Sequence, residues 1–160
     1  MAHKLEPRLE SQGFKALAPD AAAALGALSR AASAHGLEKP LIELAKIRAS
    51  QLNGCAFCLQ MHLDDARRMH MDEVKLNLVA AWREAPVFSQ REHAALAWTE
   101  ALTLVTEGHV PDAVYEEARQ HFSEKELVDL TYAVMAINAW NRIAIAFRKQ
   151  PILSRASAAA

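Results

Sequence analysis

The stretch Leu41–His70, LIELAKIRASQLNGCAFCLQMHLDDARRMH, decides how the rest of the chain is read. Leu41, Leu44, Ile47 and Leu52 repeat at helical spacing. Pro40 suits the first turn of a helix expected from Pro40 to about Leu52. Asn53-Gly54 then breaks it. A second helix is expected from near Cys55 to about His70. The chain has 2 cysteines, and both fall at this opening turn, three positions apart, with His62 four beyond the second. Four readings compete: a disulfide, a metal site, a redox catalyst, or two small buried side chains.

Helical geometry narrows them. At ~100° per residue, Cys55 and Cys58 lie about 60° apart around the axis, and Cys58 and His62 about 40° apart. All three share one face. Cα atoms three apart on a helix are separated by ~5 Å, within the range a disulfide spans, so bridging needs little backbone movement. A free thiol with a pKa of ~8.5 is only about 3% thiolate at neutral pH, and lowering it to ~7 raises that more than tenfold. The unpaired N–H groups and positive dipole end at the helix start favour Cys55 as the acidic thiol. The i,i+4 relation to His62 favours Cys58 as the paired one. These two arguments leave open which sulfur attacks.

Outward from this stretch, the 160 residues suit one domain with a substantial core. Charged residues make up 23%, and the formal net charge of -1 gives no sign of a nucleic-acid or anionic-membrane partner. No apolar run reaches the ~20 residues that span a bilayer. Ala21–Ser29, AAAALGALS, is short and lacks a basic flank, so it does not read as a signal peptide. A cytoplasmic location is expected, where a lone cysteine pair is more often catalytic or metal-binding than structural.

With 5 glycines, 6 prolines and abundant alanine and leucine, the chain reads as all-α. Asp20 is expected to cap a helix to about Ala34. Asp72 is expected to cap one to about Arg83. Ser89–Glu92 forms a capping box opening a helix to about Glu107, and Pro111 starts a short helix to about His121. Ser123–Glu126 is a second capping box, opening a long helix that stops before Pro151. Apolar residues surround most of that last helix, including Leu127, Val128, Leu130, Tyr132, Val134, Met135 and Ile137. Such a helix is central or shared with another subunit, so a homo-oligomer is expected. Residues 152–160 read as a loose tail.

Glu43, eleven intervening residues, C-x-x-C, three residues and His62 together resemble the signature of the alkylhydroperoxidase D family, within the carboxymuconolactone decarboxylase-like superfamily. FSQREHAALAWTEALT (Phe88–Thr103) and FSEKELVDLTYAVMAINAWNRIAIAFR (Phe122–Arg148) are similar to its later helices. The resemblance covers roughly residues 40–151. It implies a single-domain helical bundle of about six to eight helices, associating as trimers or hexamers, and a cofactor-free, thiol-dependent peroxidase. Carried over by position, Cys58 attacks a hydroperoxide, Cys55 resolves it, and Glu43 and His62 relay protons. A thioredoxin-like or lipoyl-type dithiol is the implied reductant. The best-known members place a second histidine just before the second cysteine, where this chain has Phe57.

Other readings stand beside this one. The superfamily includes decarboxylases of lactone acids, which do not need the cysteine pair. A redox-sensing or zinc-binding oligomer using Cys55, Cys58, His62 and Glu43 is a third reading. Taken singly, Glu43 reads as a surface partner of Lys46 at i+3. His70, His93, His109 and His121 read as surface or loop residues, and Trp82, Trp98 and Trp140 as core or interface. Asp64 and Arg68 read as an i,i+4 surface pair, and Asn141-Arg142 as a subunit contact.

Overall fold

The computed structural model describes residues 6–9, 13–34 and 36–152. Within them lie α1 (Gly13–Leu17), α2 (Pro19–Ala32), α3 (Lys39–Asn53), α4 (Ala56–Arg68), α5 (Glu73–Leu78), α6 (Gln90–Thr103), α7 (Asp112–His121) and α8 (Glu124–Ala146). Single 3-10 turns follow α5 and α6, and the described residues contain no strand. None of these helices is long and apolar enough to cross a membrane. Apart from Pro151 and Ile152, the stretch after Gln150 lies outside the described residues, as does most of the expected loose tail.

Local rules placed most of the boundaries. Ser89 and Ser123 each accept a bond from the backbone N–H three residues on, while Glu92 and Glu126 reach back, completing both capping boxes. The Asp72 side chain accepts from Val74 N at 2.7 Å and caps α5. That segment is shorter than the helix expected to Arg83, because it passes into a 3-10 turn at Val79–Ala81. The helix from Ser89 likewise ends at Thr103, with a 3-10 turn at Val105–Glu107. Asp20 is not a cap: α2 begins at Pro19, and Asp20 lies in its first turn.

α3 is the central element. It packs against α4, α6 and α8, and α8 packs in turn against α2. One side of α3 contributes Leu41, Ile42 and Ala45 to a core with Trp98, Leu130 and Val134. The opposite side contributes Leu44 and Ile47 to a second core with Leu76, Val79, Trp82 and Phe88. Its last turn supplies Ala49 to a third, smaller cluster with Cys55, Cys58, Ile137 and Ala144. The cysteines are thus buried between the end of α3, the start of α4 and the middle of α8.

Three sequence expectations change here. Asn141 is 0% exposed and belongs to the protein interior rather than to a subunit contact. Its amide accepts from Asn53 at 2.8 Å and donates to Ser50 at 3.1 Å, tying α8 to the last turn of α3. Asn138, one turn earlier, accepts from the same Asn53 amide at 3.0 Å and donates to Thr103 on α6 at 3.1 Å. On the surface, Arg68 pairs with Asp65 rather than Asp64, and Asp64 pairs with Arg67 at 3.6 Å. His93, on α6, is half-buried rather than on the surface, with its ring edge-on to Trp82 at 5.1 Å.

Because buried amides left without partners cost about 1–3 kcal/mol each, Asn141→Ala is expected to lower the unfolding free energy by about 3 kcal/mol in urea titrations. Asn138→Ala, at a half-buried position, is expected to lower it by about 1 kcal/mol.

Candidate functional site

The site is built on the α3–α4 hairpin. Gly54 ends α3 in the left-handed region (φ 68). There Gly54 N–H bonds Gln51 O at 3.1 Å, and Cys55 N–H bonds Ser50 O at 3.0 Å. This pattern closes the helix with a residue that carries no Cβ penalty at positive φ. The chain reverses at once into α4. Cys55 is therefore not inside the second helix but is its N-cap: its sulfur accepts from Cys58 N at 3.3 Å. A thiol takes the place that a serine or aspartate oxygen more often fills, facing the free N–H groups of the first turn.

The reversal brings Glu43, eleven residues before Gly54, against His62. Glu43 Oε2 and His62 Nδ1 are 2.8 Å apart, and both side chains are buried. The other carboxylate oxygen accepts from Lys46 Nζ at 2.7 Å. The surface reading of Glu43 thus held in its pairing and failed in its exposure. Burial pushes the Glu43 carboxyl up, but His62 and Lys46 together hold it below its ordinary value. An ionised carboxylate only accepts, so Nδ1 of His62 carries a hydrogen, and Nε2 is the nitrogen left for proton exchange. Asp65 Oδ2 lies 3.9 Å from the same Nδ1.

The two cysteines are free and buried. A hydrogen bond from the Cys58 thiol, followed by backbone N–H bonds and the Asn141 amide, lowers Cys55 to about 7 against burial. Donating that bond, together with burial, pushes Cys58 up. The first proton to leave the pair therefore leaves its charge on Cys55, with Cys58 holding the remaining one. This agrees with the helix-start argument for which thiol is the more acidic.

Access distinguishes the sulfurs in the other direction. Cys58 and His62 line a cavity of about 1010 Å³, together with Phe57, Trp140, Ile143 and Lys149, and Cys55 does not line it. Four sequence-derived residues thus converge: Glu43, His62 and Cys58 from one cavity wall inward, and Cys55 behind them. The zinc arrangement does not assemble among the described residues. The donor atoms lying within 4.8 Å of one another belong to Glu43, His62 and Asp65, without either sulfur. Two participants were not read as site residues in the sequence, Asn141 and Lys149. Asn141 had a signal, as a polar residue interrupting the apolar stripe of α8. Lys149 had none, because it lies beyond the helix end and meets the cysteine turn only through tertiary packing.

An all-helical bundle with Cys-x-x-Cys at a helix start and a buried Glu–His pair beside it defines a protein of the alkylhydroperoxidase D-like type. The sequence profile of the carboxymuconolactone decarboxylase family matches residues 19–101, and the chain belongs to that family. The uncharacterized protein YdfG of Bacillus subtilis is 47% identical over 104 residues, covering 65% of this chain and 71% of that one. A crystal structure from Agrobacterium tumefaciens, of a protein of unknown function and candidate antioxidant defence protein AhpD, superposes with a TM-score of 0.88 at 41% identity. It covers 93% of this chain and 100% of that one. A peroxidase-related protein from Ralstonia eutropha, described as an alkylhydroperoxidase AhpD core, shares the fold at 23% identity, with a TM-score of 0.75. That alignment covers 86% of this chain and 74% of the other.

In wild type the thiolate ultraviolet absorbance is expected to rise through a midpoint at about pH 7, the value of Cys55. In Cys58→Ala, which removes the donated thiol hydrogen bond, that midpoint is expected to move up toward the ~8.5 of a free cysteine.

Proposed function

We propose that the protein is a thiol peroxidase that reduces hydroperoxides through Cys58 and Cys55. The observation that carries this reading is that Cys58 and His62 share one cavity wall while Glu43 fixes the imidazole from behind. Cys58 is the attacking sulfur because it faces the cavity. It becomes thiolate when its proton passes to Cys55 along their hydrogen bond, a single transfer within a pair that loses its first proton at about pH 7.

The Cys58 thiolate attacks the distal peroxide oxygen. The O–O bond breaks, Cys58 is oxidised to sulfenic acid, and the leaving alkoxide or hydroxide takes a proton from His62. Glu43 stabilises the imidazolium before that transfer and keeps the ring oriented. The Cys55 sulfur then attacks the sulfenic sulfur and water leaves, giving the Cys55–Cys58 disulfide. A dithiol of the thioredoxin or lipoyl class reduces it, becoming a disulfide itself. Phe57 stands where the best-known members of the family place a second histidine, so in this reading His62 carries the proton transfer alone.

The protein works as a homo-oligomer in this reading, in the cytoplasm. Supporting the oligomer, Val128, Tyr132 and Met135 are exposed at i, i+4 and i+7 on α8, an apolar strip that suits a subunit contact. The resemblance points to trimers or hexamers.

The test is peroxide consumption with a dithiol reductant. Cys58→Ser is expected to abolish turnover. His62→Ala is expected to slow it by roughly 100-fold, the usual contribution of a positioned general acid. Equal rates in wild type and Cys58→Ser would remove the proposal. Lactone decarboxylation that survives loss of both cysteines would replace it.

A further inference from the structure

The cavity in front of Cys58 is far larger than a peroxide group. Its volume of about 1010 Å³ matches the upper end of pockets that enclose small organic molecules. Phe14, Trp140, Ile143 and Phe147 make much of its wall apolar. Four cationic side chains and the carboxylate Glu6 also line it. Arg8 is committed to the Ala146 carbonyl at 3.0 Å, and Lys46 to Glu43 at 2.7 Å. Lys15 is exposed. Lys149 differs from all three. Its ammonium lies 4.0 Å from the centre of the Phe57 ring and 5.7 Å from that of Phe14.

Such a cradle stabilises a cation only partly. Burial, followed by the nearby Lys15, pushes the Lys149 ammonium down from the ordinary lysine value. Its charged neighbours are Lys15 and the two sulfurs, none of them a carboxylate. A half-buried ammonium of this kind, in an apolar cavity, is an unfilled half of an ion pair. Phe57 stands next to Cys58 in the chain and beneath this ammonium, so the cation and the reactive sulfur occupy one wall.

We propose that Lys149 is an anion-recognition residue: the cavity binds an apolar organic molecule carrying a single carboxylate, which pairs with the Lys149 ammonium. A monoanion matches the one half-buried ammonium on offer, since Lys15 is exposed. A dianion would leave excess negative charge beside a cysteine pair that is itself anionic once ionised. Taken with the reading of Cys58 as the attacking sulfur, this makes the favoured substrate a hydroperoxide whose acid group lies a few bonds from the peroxide. The carboxylate site itself does not depend on that reading.

A ligand without a peroxide therefore tests it. The full chain is titrated with decanoate, decanol and decyl phosphate at one ionic strength, following tryptophan fluorescence, since Trp140 lines the cavity, and calorimetric heat. Wild type is expected to bind decanoate at least about tenfold more tightly than decanol, the usual size of one charge-assisted contact. Lys149→Gln is expected to remove that preference, and Lys149→Arg to keep most of it. Equal binding of acid and alcohol by wild type, binding of neither, or a preference that survives in Lys149→Gln would overturn the proposal. Tighter binding of decyl phosphate than of decanoate would overturn the choice of a monocarboxylate. None of these outcomes depends on peroxidase turnover.

Discussion

One hydrogen bond across the α3–α4 hairpin, between the Glu43 carboxylate and His62 Nδ1, holds the site together. It is 2.8 Å long and buried at both ends. A charged carboxylate at that depth is stable only with partners, and removing one partner from such a pair leaves an uncompensated charge at a cost of several kcal/mol. The bond therefore fixes how the two helices are set against each other. Once that register is fixed, the turn at Gly54 and the sulfurs beside it have one position relative to the imidazole.

The other side of the sulfur pair is held by α8. That helix is apolar around most of its circumference, as a helix packed between α2 and α3 must be. Asn138 and Asn141 interrupt the apolar stripe at i and i+3. Their amides reach Asn53 and Ser50 at the end of α3. Asn141 also favours the ionised form of the sulfurs. The same polar strip thus anchors the central helix and helps to lower Cys55, while the bond Cys58 donates and its burial still push Cys58 up. A buried polar group that does both is costly to replace, because an apolar substitute leaves several partners unpaired.

The chain made much of this legible. Capping boxes at Ser89 and Ser123, the Asp72 cap and the Gly54 stop depend on contacts within four residues, and each appears where those rules put it. Glu43 meets His62 across the hairpin because two helices joined by a tight turn leave few ways to place residues eleven before Gly54 and eight after it. What stayed hidden involves partners distant in sequence. Asn141 meets Ser50, and Lys149 meets Phe57, across about ninety residues, and no periodicity encodes such a meeting. His93 was misread for the same reason: its ring contacts belong to Trp82 and Phe88, outside its own helix. Arg68 chose Asp65 over Asp64, an i,i+3 partner over an i,i+4 one, a choice that propensity leaves nearly even.

In the proposed reaction the cavity-facing sulfur and the helix-capping sulfur form one redox unit. Mass-spectrometric mapping after one equivalent of hydroperoxide tests it most directly, on wild type and on the chain with Cys55 replaced by serine. The account predicts an intramolecular Cys55–Cys58 bond in the first and a trapped sulfenic acid on Cys58 in the second. Unmodified thiols in wild type, or oxidation confined to Cys55, would contradict it.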